Sequence, residues 1–90
     1  MRIIKDDYFL MQLFNILRVI AKDKKSAAKK FEKDINTKLE LLKENPQMCR
    51  KSYHFEDESY RDLIYSGYTV IYKIEKDAIL ILEIFKWQER

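Results

Sequence analysis

Ninety residues with one glycine, one proline and a formal charge of +3 leave room for a single domain, 1–90, and little for linkers or glycine-rich phosphate loops. A chain of this size buries only about 60–65% of its unfolded surface, so its stability margin is thin. No apolar run approaches the roughly 20 residues of a membrane span, Asp6 and Asp7 break any signal-peptide pattern, and the mild positive charge carries little weight as a nucleic-acid signal.

Hydrophobic residues at 47% suffice for a core, and charged residues at 37% solvate the exterior. Cys49 is the single cysteine, which excludes an intrachain disulfide and favours a cytoplasmic setting. With His54 as the one histidine and thus the one available base near neutrality, Cys49 reads as an inert small side chain rather than a nucleophile.

In chain order, Met1 to Lys5 is apolar in its middle and suits a strand that joins a sheet. Asp6 or Asp7 then supplies a helix cap, its carboxylate accepting free backbone N–H groups. From Tyr8 to Ala21, Leu10, Leu13, Phe14, Leu17, Ile20 and Ala21 recur at helical spacing. Phe9, Met11, Ile16 and Val19 widen the apolar surface beyond one stripe, so this helix needs more than one partner. Lys22 to Lys25 interrupts the pattern. A second helix follows from Ser26 to about Glu44, its apolar stripe made of Ala28, Phe31, Ile35, Leu39 and Leu42. Pro46 disfavours helical geometry at Asn45 and ends it. The short gap around Asp23 makes the two helices an antiparallel hairpin.

Gln47 to Ser59 is irregular, either a loop carrying contacts or a loop that begins with a short extra strand. Three strands then fall at roughly 61–65, 68–75 and 78–86, rich in Tyr, Ile and Val. Ser66-Gly67 supplies a two-residue turn that tolerates positive φ, and Glu75-Lys76-Asp77 supplies a second turn. The first turn sets Tyr65 opposite Tyr68, Leu63 opposite Val70 and Arg61 opposite Tyr72. Alternation puts Leu63, Tyr65, Val70, Tyr72 and Ile74 on the face that meets the helices. Asp62, Ile64, Thr69, Ile71 and Lys73 share the other face, expected to be semi-exposed or a site. The fold class is α+β: a strand, a helical hairpin and a three-stranded antiparallel meander, with helices on one face of the sheet.

Several fragments in this order resemble the RelE/ParE toxin superfamily of bacterial type II toxin–antitoxin systems. They are Ser26-Ala27-Ala28-x-x-Phe31, Leu42-x-x-Asn45-Pro46-x-Met48-x-Arg50, Tyr60-Arg61-Asp62-Leu63, Gly67-Tyr68-x-Val70-Ile71-Tyr72-x-Ile74, and the strand from Ile79 to Phe85. The resemblance implies one of two activities: cleavage of messenger RNA in the ribosome, as in RelE-like members, or inhibition of DNA gyrase, as in ParE-like members. The long hairpin and the Asn-Pro-x-Met-x-Arg ending are more similar to the ParE side.

Ribonuclease members often carry Arg just after the tyrosine of the Gly-Tyr motif; here that position is Thr69. Cleavage by 2′-hydroxyl attack needs a proton acceptor, a proton donor and cations around the phosphate. The candidates are Arg61, Lys73, Lys86, Arg90 and His54, an incomplete set, and no His/Asp/Glu cluster has metal-ligand spacing. No cofactor or metal is expected.

The resemblance therefore implies a non-enzymatic cytoplasmic toxin that inhibits growth by binding DNA gyrase, the activity behind plasmid stabilisation. The alternatives are a nuclease acting on ribosome-bound messenger and an inactive, antitoxin-binding domain. Lys86, Trp87 and Arg90 are the first candidates for target binding, and Arg50, Lys51 and Arg61 the second. The implied partner is a cognate antitoxin in a hetero-oligomer. It would bind Phe9, Met11 and Ile16 on the first helix and Ile79, Ile81 and Phe85 along the last strand, taken as a sheet edge.

Overall fold

The computed structural model describes residues 1–86. In chain order it has β1 (Arg2–Lys5), α1 (Asp7–Asp23), α2 (Lys25–Leu41), β2 (Arg50–Lys51), β3 (Tyr60–Tyr65), β4 (Tyr68–Ile74) and β5 (Ala78–Lys86). The strands form one sheet in the order β1-β5-β4-β3-β2. Pairing is antiparallel from β2 to β5, whereas β1 lies parallel to β5, with Arg2 opposite Ala78 and Lys5 opposite Ile81. The parallel pair is possible because the whole hairpin and meander intervene, giving far more chain than such a crossover needs.

Asp6 caps α1, its carboxylate accepting from the Tyr8 amide at 2.8 Å. Lys24 precedes α2 without a side-chain cap, and α2 ends at Leu41, three residues short of the expected end. Leu42 is nevertheless fully buried. Phe9, Leu13, Phe31, Ile35, Leu39 and Leu42 of the helical layer meet Leu63, Val70, Tyr72, Ile79, Ile81 and Ile84 of the sheet in one core. Burial of each such side chain, at roughly 1.5–3 kcal/mol, is the main favourable term.

The β3–β4 register is the expected one, with Tyr65 opposite Tyr68, Leu63 opposite Val70 and Arg61 opposite Tyr72. Between β4 and β5 the register slips once, near Ile71/Tyr72. Extra residues of this kind bend a strand and increase its twist.

The β3–β4 turn places Ser66 at φ 51° and Gly67 at φ 82°. Both central residues are left-handed, and only Gly67 is free of the steric cost. Asparagine visits this region more readily than serine. Ser66→Asn is therefore expected to stabilise the fold by about 0.5–1 kcal/mol, read as a rise in Tm by calorimetry.

Phe31 packs between Tyr65 and Tyr68, with ring centroids 5.4 Å and 5.1 Å away. The Tyr65 hydroxyl donates to Asp34 of α2 at 2.5 Å, and Lys30 pairs with the same carboxylate at 2.8 Å. Those two hydrogen bonds, Lys30's first, hold the Asp34 carboxyl below its ordinary range. A depressed carboxyl contributes stability above its unfolded pKa, and the contribution fades as pH falls through the folded value. Tyr65→Phe should move the Asp34 titration midpoint upward, followed by NMR of the carboxyl carbon.

Candidate functional site

On the face of the sheet opposite the helices, Ile64 is exposed and Lys73 half-buried, but the middle of that face is covered. Asp62, Thr69 and Ile71 on it are all buried, as is Phe85 beside Thr69. Segment 52–59 explains part of this cover. Its His54 ring stands edge-on to Phe85 at 5.4 Å, and Phe55 stacks on Tyr60 at 4.1 Å. Asp62, 1% exposed, accepts the Tyr53 amide at 3.1 Å and lies 3.4 Å from the Arg50 guanidinium. That guanidinium in turn lies over the Tyr53 ring at 3.8 Å. A buried carboxylate persists only with such partners, so Asp62 ties the irregular segment to the sheet. β2 realises the short extra strand that the sequence left open.

The secondary target-binding candidates sit together at the β2 edge. Arg50 pairs with Asp62 and Lys51 with Arg61 in register. Each is already engaged. Lys51 bonds Glu58 at 2.6 Å, and this hydrogen bond holds the Glu58 carboxyl low. Arg61 donates to the Cys49 carbonyl at 3.1 Å. Beside it Tyr72 donates to the Pro46 carbonyl at 2.8 Å, and burial, then Cys49, pushes the phenol upward.

Lys73 lies on the opposite face, 3.4 Å from Glu75 and 5.3 Å from the Tyr60 ring centre. The Glu75 hydrogen bond raises its pKa, so it stays charged. Lys86 is exposed at the end of β5, opposite Tyr68, at the hairpin end of the sheet. Three strand spacings, about 14 Å, therefore separate its strand from β2. Trp87 and Arg90 lie outside the described residues.

Among the described residues, the nuclease candidates are not brought together. Arg61 faces the helical side, whereas Lys73 and His54 lie on the other. Lys73 is four residues along β4 from Thr69, the neighbour of the Phe85 that His54 contacts. Among the described residues, no group of three or more His, Cys, Asp or Glu could hold a metal ion.

The proposed antitoxin surface needs correction at several positions. Phe9 is 0% exposed and belongs to the core, as do Ile79 and Ile81, and Phe85 is buried. Ile16 is partly buried against the same core, and Met11 alone of the α1 trio is exposed. Nor is β5 an edge from Ala78 to Ile81, because β1 occupies that side. Beyond Ile81 the β1 side is open to α1, and Gln12 accepts the Ile84 amide at 2.7 Å.

Leu10 and Phe14, expected inside, are exposed instead, with Phe14 at 62%. The inward stripe of α1 is Phe9, Leu13, Ile16 and Ile20, at spacings of four, three and four. Phe14, Leu17 and Ala21 of α1 and Ala28 of α2 line an open cleft of about 340 Å³, rimmed by Arg18, Lys29 and Glu32. Sequence reasoning missed it because α1 is apolar on three sides, leaving its spacing ambiguous.

No helix among the described residues is long and apolar enough to cross a membrane. A family model described as the ParE toxin of the type II toxin–antitoxin system parDE matches residues 3–89. No curated protein matches the chain. Among solved structures, the chromosomal ParDE toxin–antitoxin system from P. aeruginosa is similar at TM-score 0.77 and 20% identity, over 96% of this chain and 95% of that one. At that identity the likeness shows the shared fold. The family match, over nearly the whole sequence, shows more: the chain belongs to the ParE toxin family of type II toxin–antitoxin systems.

Proposed function

We propose that this chain is a growth-inhibiting toxin that acts by binding a protein target, DNA gyrase, and is neutralised by a cognate antitoxin. The observation that carries binding over RNA cleavage is the scatter of the ionisable groups. His54, Lys73, Arg61 and Lys86 sit on different faces or ends of the sheet, and Lys73 and Arg61 are already hydrogen-bonded. General acid–base cleavage needs its groups within hydrogen-bond reach of one phosphate. Binding needs only a surface. The target-facing candidates are Lys86 at the end of β5, together with Trp87 and Arg90 beyond it, and the Arg50–Tyr53 stack at the β2 edge.

The antitoxin reading moves from the buried residues of α1 to its exposed ones. Leu10, Met11 and Phe14 are large, apolar and solvent-facing. A tail that orders as it binds buries such side chains and is recognised through them.

Two assays on the purified chain test the reading. Supercoiling by gyrase should fall as the protein is added, and ribosome-bound messenger should stay intact. Intact gyrase activity with cut messenger would replace it with the nuclease. Expression without antitoxin should arrest growth; normal growth together with two negative assays would leave an antitoxin-binding domain.

A further inference from the structure

Three polar atoms on one face of the sheet are buried without a protein hydrogen-bond partner: Asp62 Oδ1, Thr69 Oγ1 and Arg50 Nε. Asp62 and Thr69 are each 1% exposed. They lie close together by register. Arg50 is opposite Asp62 across β2–β3, Asp62 is opposite Ile71, and Thr69 is two residues from Ile71 on the same face of β4. Such diagonal neighbours on a sheet sit about 7 Å apart or somewhat less at Cβ. Their oxygens can therefore be bridged by one molecule with two hydrogen bonds of ordinary length.

The chemistry of the trio limits what that molecule is. An anion would face the Asp62 carboxylate, and a cation would face the Arg50 guanidinium 3.4 Å from that carboxylate. A neutral guest that donates to Asp62 and exchanges a hydrogen bond with Thr69 avoids both conflicts. Water has this character and size, and buried waters typically make about three such bonds.

We propose that one water molecule is held between Asp62 Oδ1 and Thr69 Oγ1, and that it fastens segment 52–59 to the sheet. The other oxygen of Asp62 receives the Tyr53 amide, so the carboxylate joins water and segment directly. Orientation of Asp62 then sets where Arg50 and Tyr53 stand, whatever the protein binds with them.

Thr69→Val tests this through the sign of its effect. Replacing an unbonded buried hydroxyl by a methyl is neutral or stabilising, whereas removing the anchor of a bound water strands the carboxylate oxygen. The expected result is a Tm lower by about 4–8 °C, the shift of one net hydrogen bond in a domain of this size. Amide exchange at Tyr53 and His54 should quicken at least tenfold while that of Ile71 and Ile84 changes little, and Thr69→Ser should restore slow exchange at Tyr53. An unchanged or raised Tm overturns the proposal. So does a lower Tm with segment exchange unaltered, which would mean that the new methyl merely packs badly.

Discussion

Phe9→Ala should lower the unfolding free energy by about 3–5 kcal/mol, and Phe14→Ala by no more than about 0.5 kcal/mol. The two positions share a residue type and a helix, and differ in where the helix turns them. Phe9 is wholly buried among the side chains that join α1 to β5, whereas Phe14 is mostly in water. Removing a buried ring loses its transfer free energy and leaves a hole that rigid neighbours fill only in part. A domain of this length begins with a net stability near the low end of about 5–15 kcal/mol. The Phe9 variant should therefore be partly unfolded at 37 °C. Urea titration measures both, with the midpoint moving and the slope constant if only stability changes. Similar losses for the two variants would mean that α1 is rotated relative to the arrangement described.

The second large effect concerns recognition. Phe14→Glu is expected to weaken antitoxin binding by at least about 100-fold, the loss of one central apolar anchor. Its Tm should stay within a few degrees of the parent. Ile16→Glu makes the contrast: it too should weaken binding, but its half-buried side chain leans on the core, so a charge there should cost stability as well. Titration calorimetry with the antitoxin, beside thermal melts of the free toxin, separates the two quantities. Full-strength binding by a folded Phe14→Glu protein would move the antitoxin elsewhere on the surface.

The meander was legible in detail because its determinants are local. One two-residue turn fixes the pairing of six residues with six, and a slip of one would expose every apolar side chain. The Leu63, Val70 and Tyr72 face follows directly from it. α2 was legible for a similar reason, since its lysines leave only one stripe to bury. α1 was not, because Leu10 and Phe14 compete with Phe9 and Ile16 for the same role. A periodic pattern is informative only when part of the helix is polar.

Non-local contacts were also out of reach. The β1–β5 pair joins chain segments at opposite ends of the sequence, the β5 register slip depends on both neighbours, and Asp62 is buried by a segment with no periodicity of its own. The candidate site suffered most, since Arg50, Lys51 and Lys73 look free in a sequence and pair with carboxylates in space, while Arg61 donates to a backbone carbonyl. Only tertiary structure reveals which charges have been neutralised by a neighbour.

Because β1 lies beside β5, the first residues of the chain wait for nearly the last ones before the sheet can close. Contacts so distant in sequence slow folding and leave unpaired strands exposed meanwhile. A nascent copy still missing its final strand lacks Ile79, Ile81 and Ile84, so Phe9 and Leu13 lack the β5 side of their core. The core between helices and sheet therefore closes only once β5 is present, and a chain cut short upstream of Ala78 should fail to reach this fold.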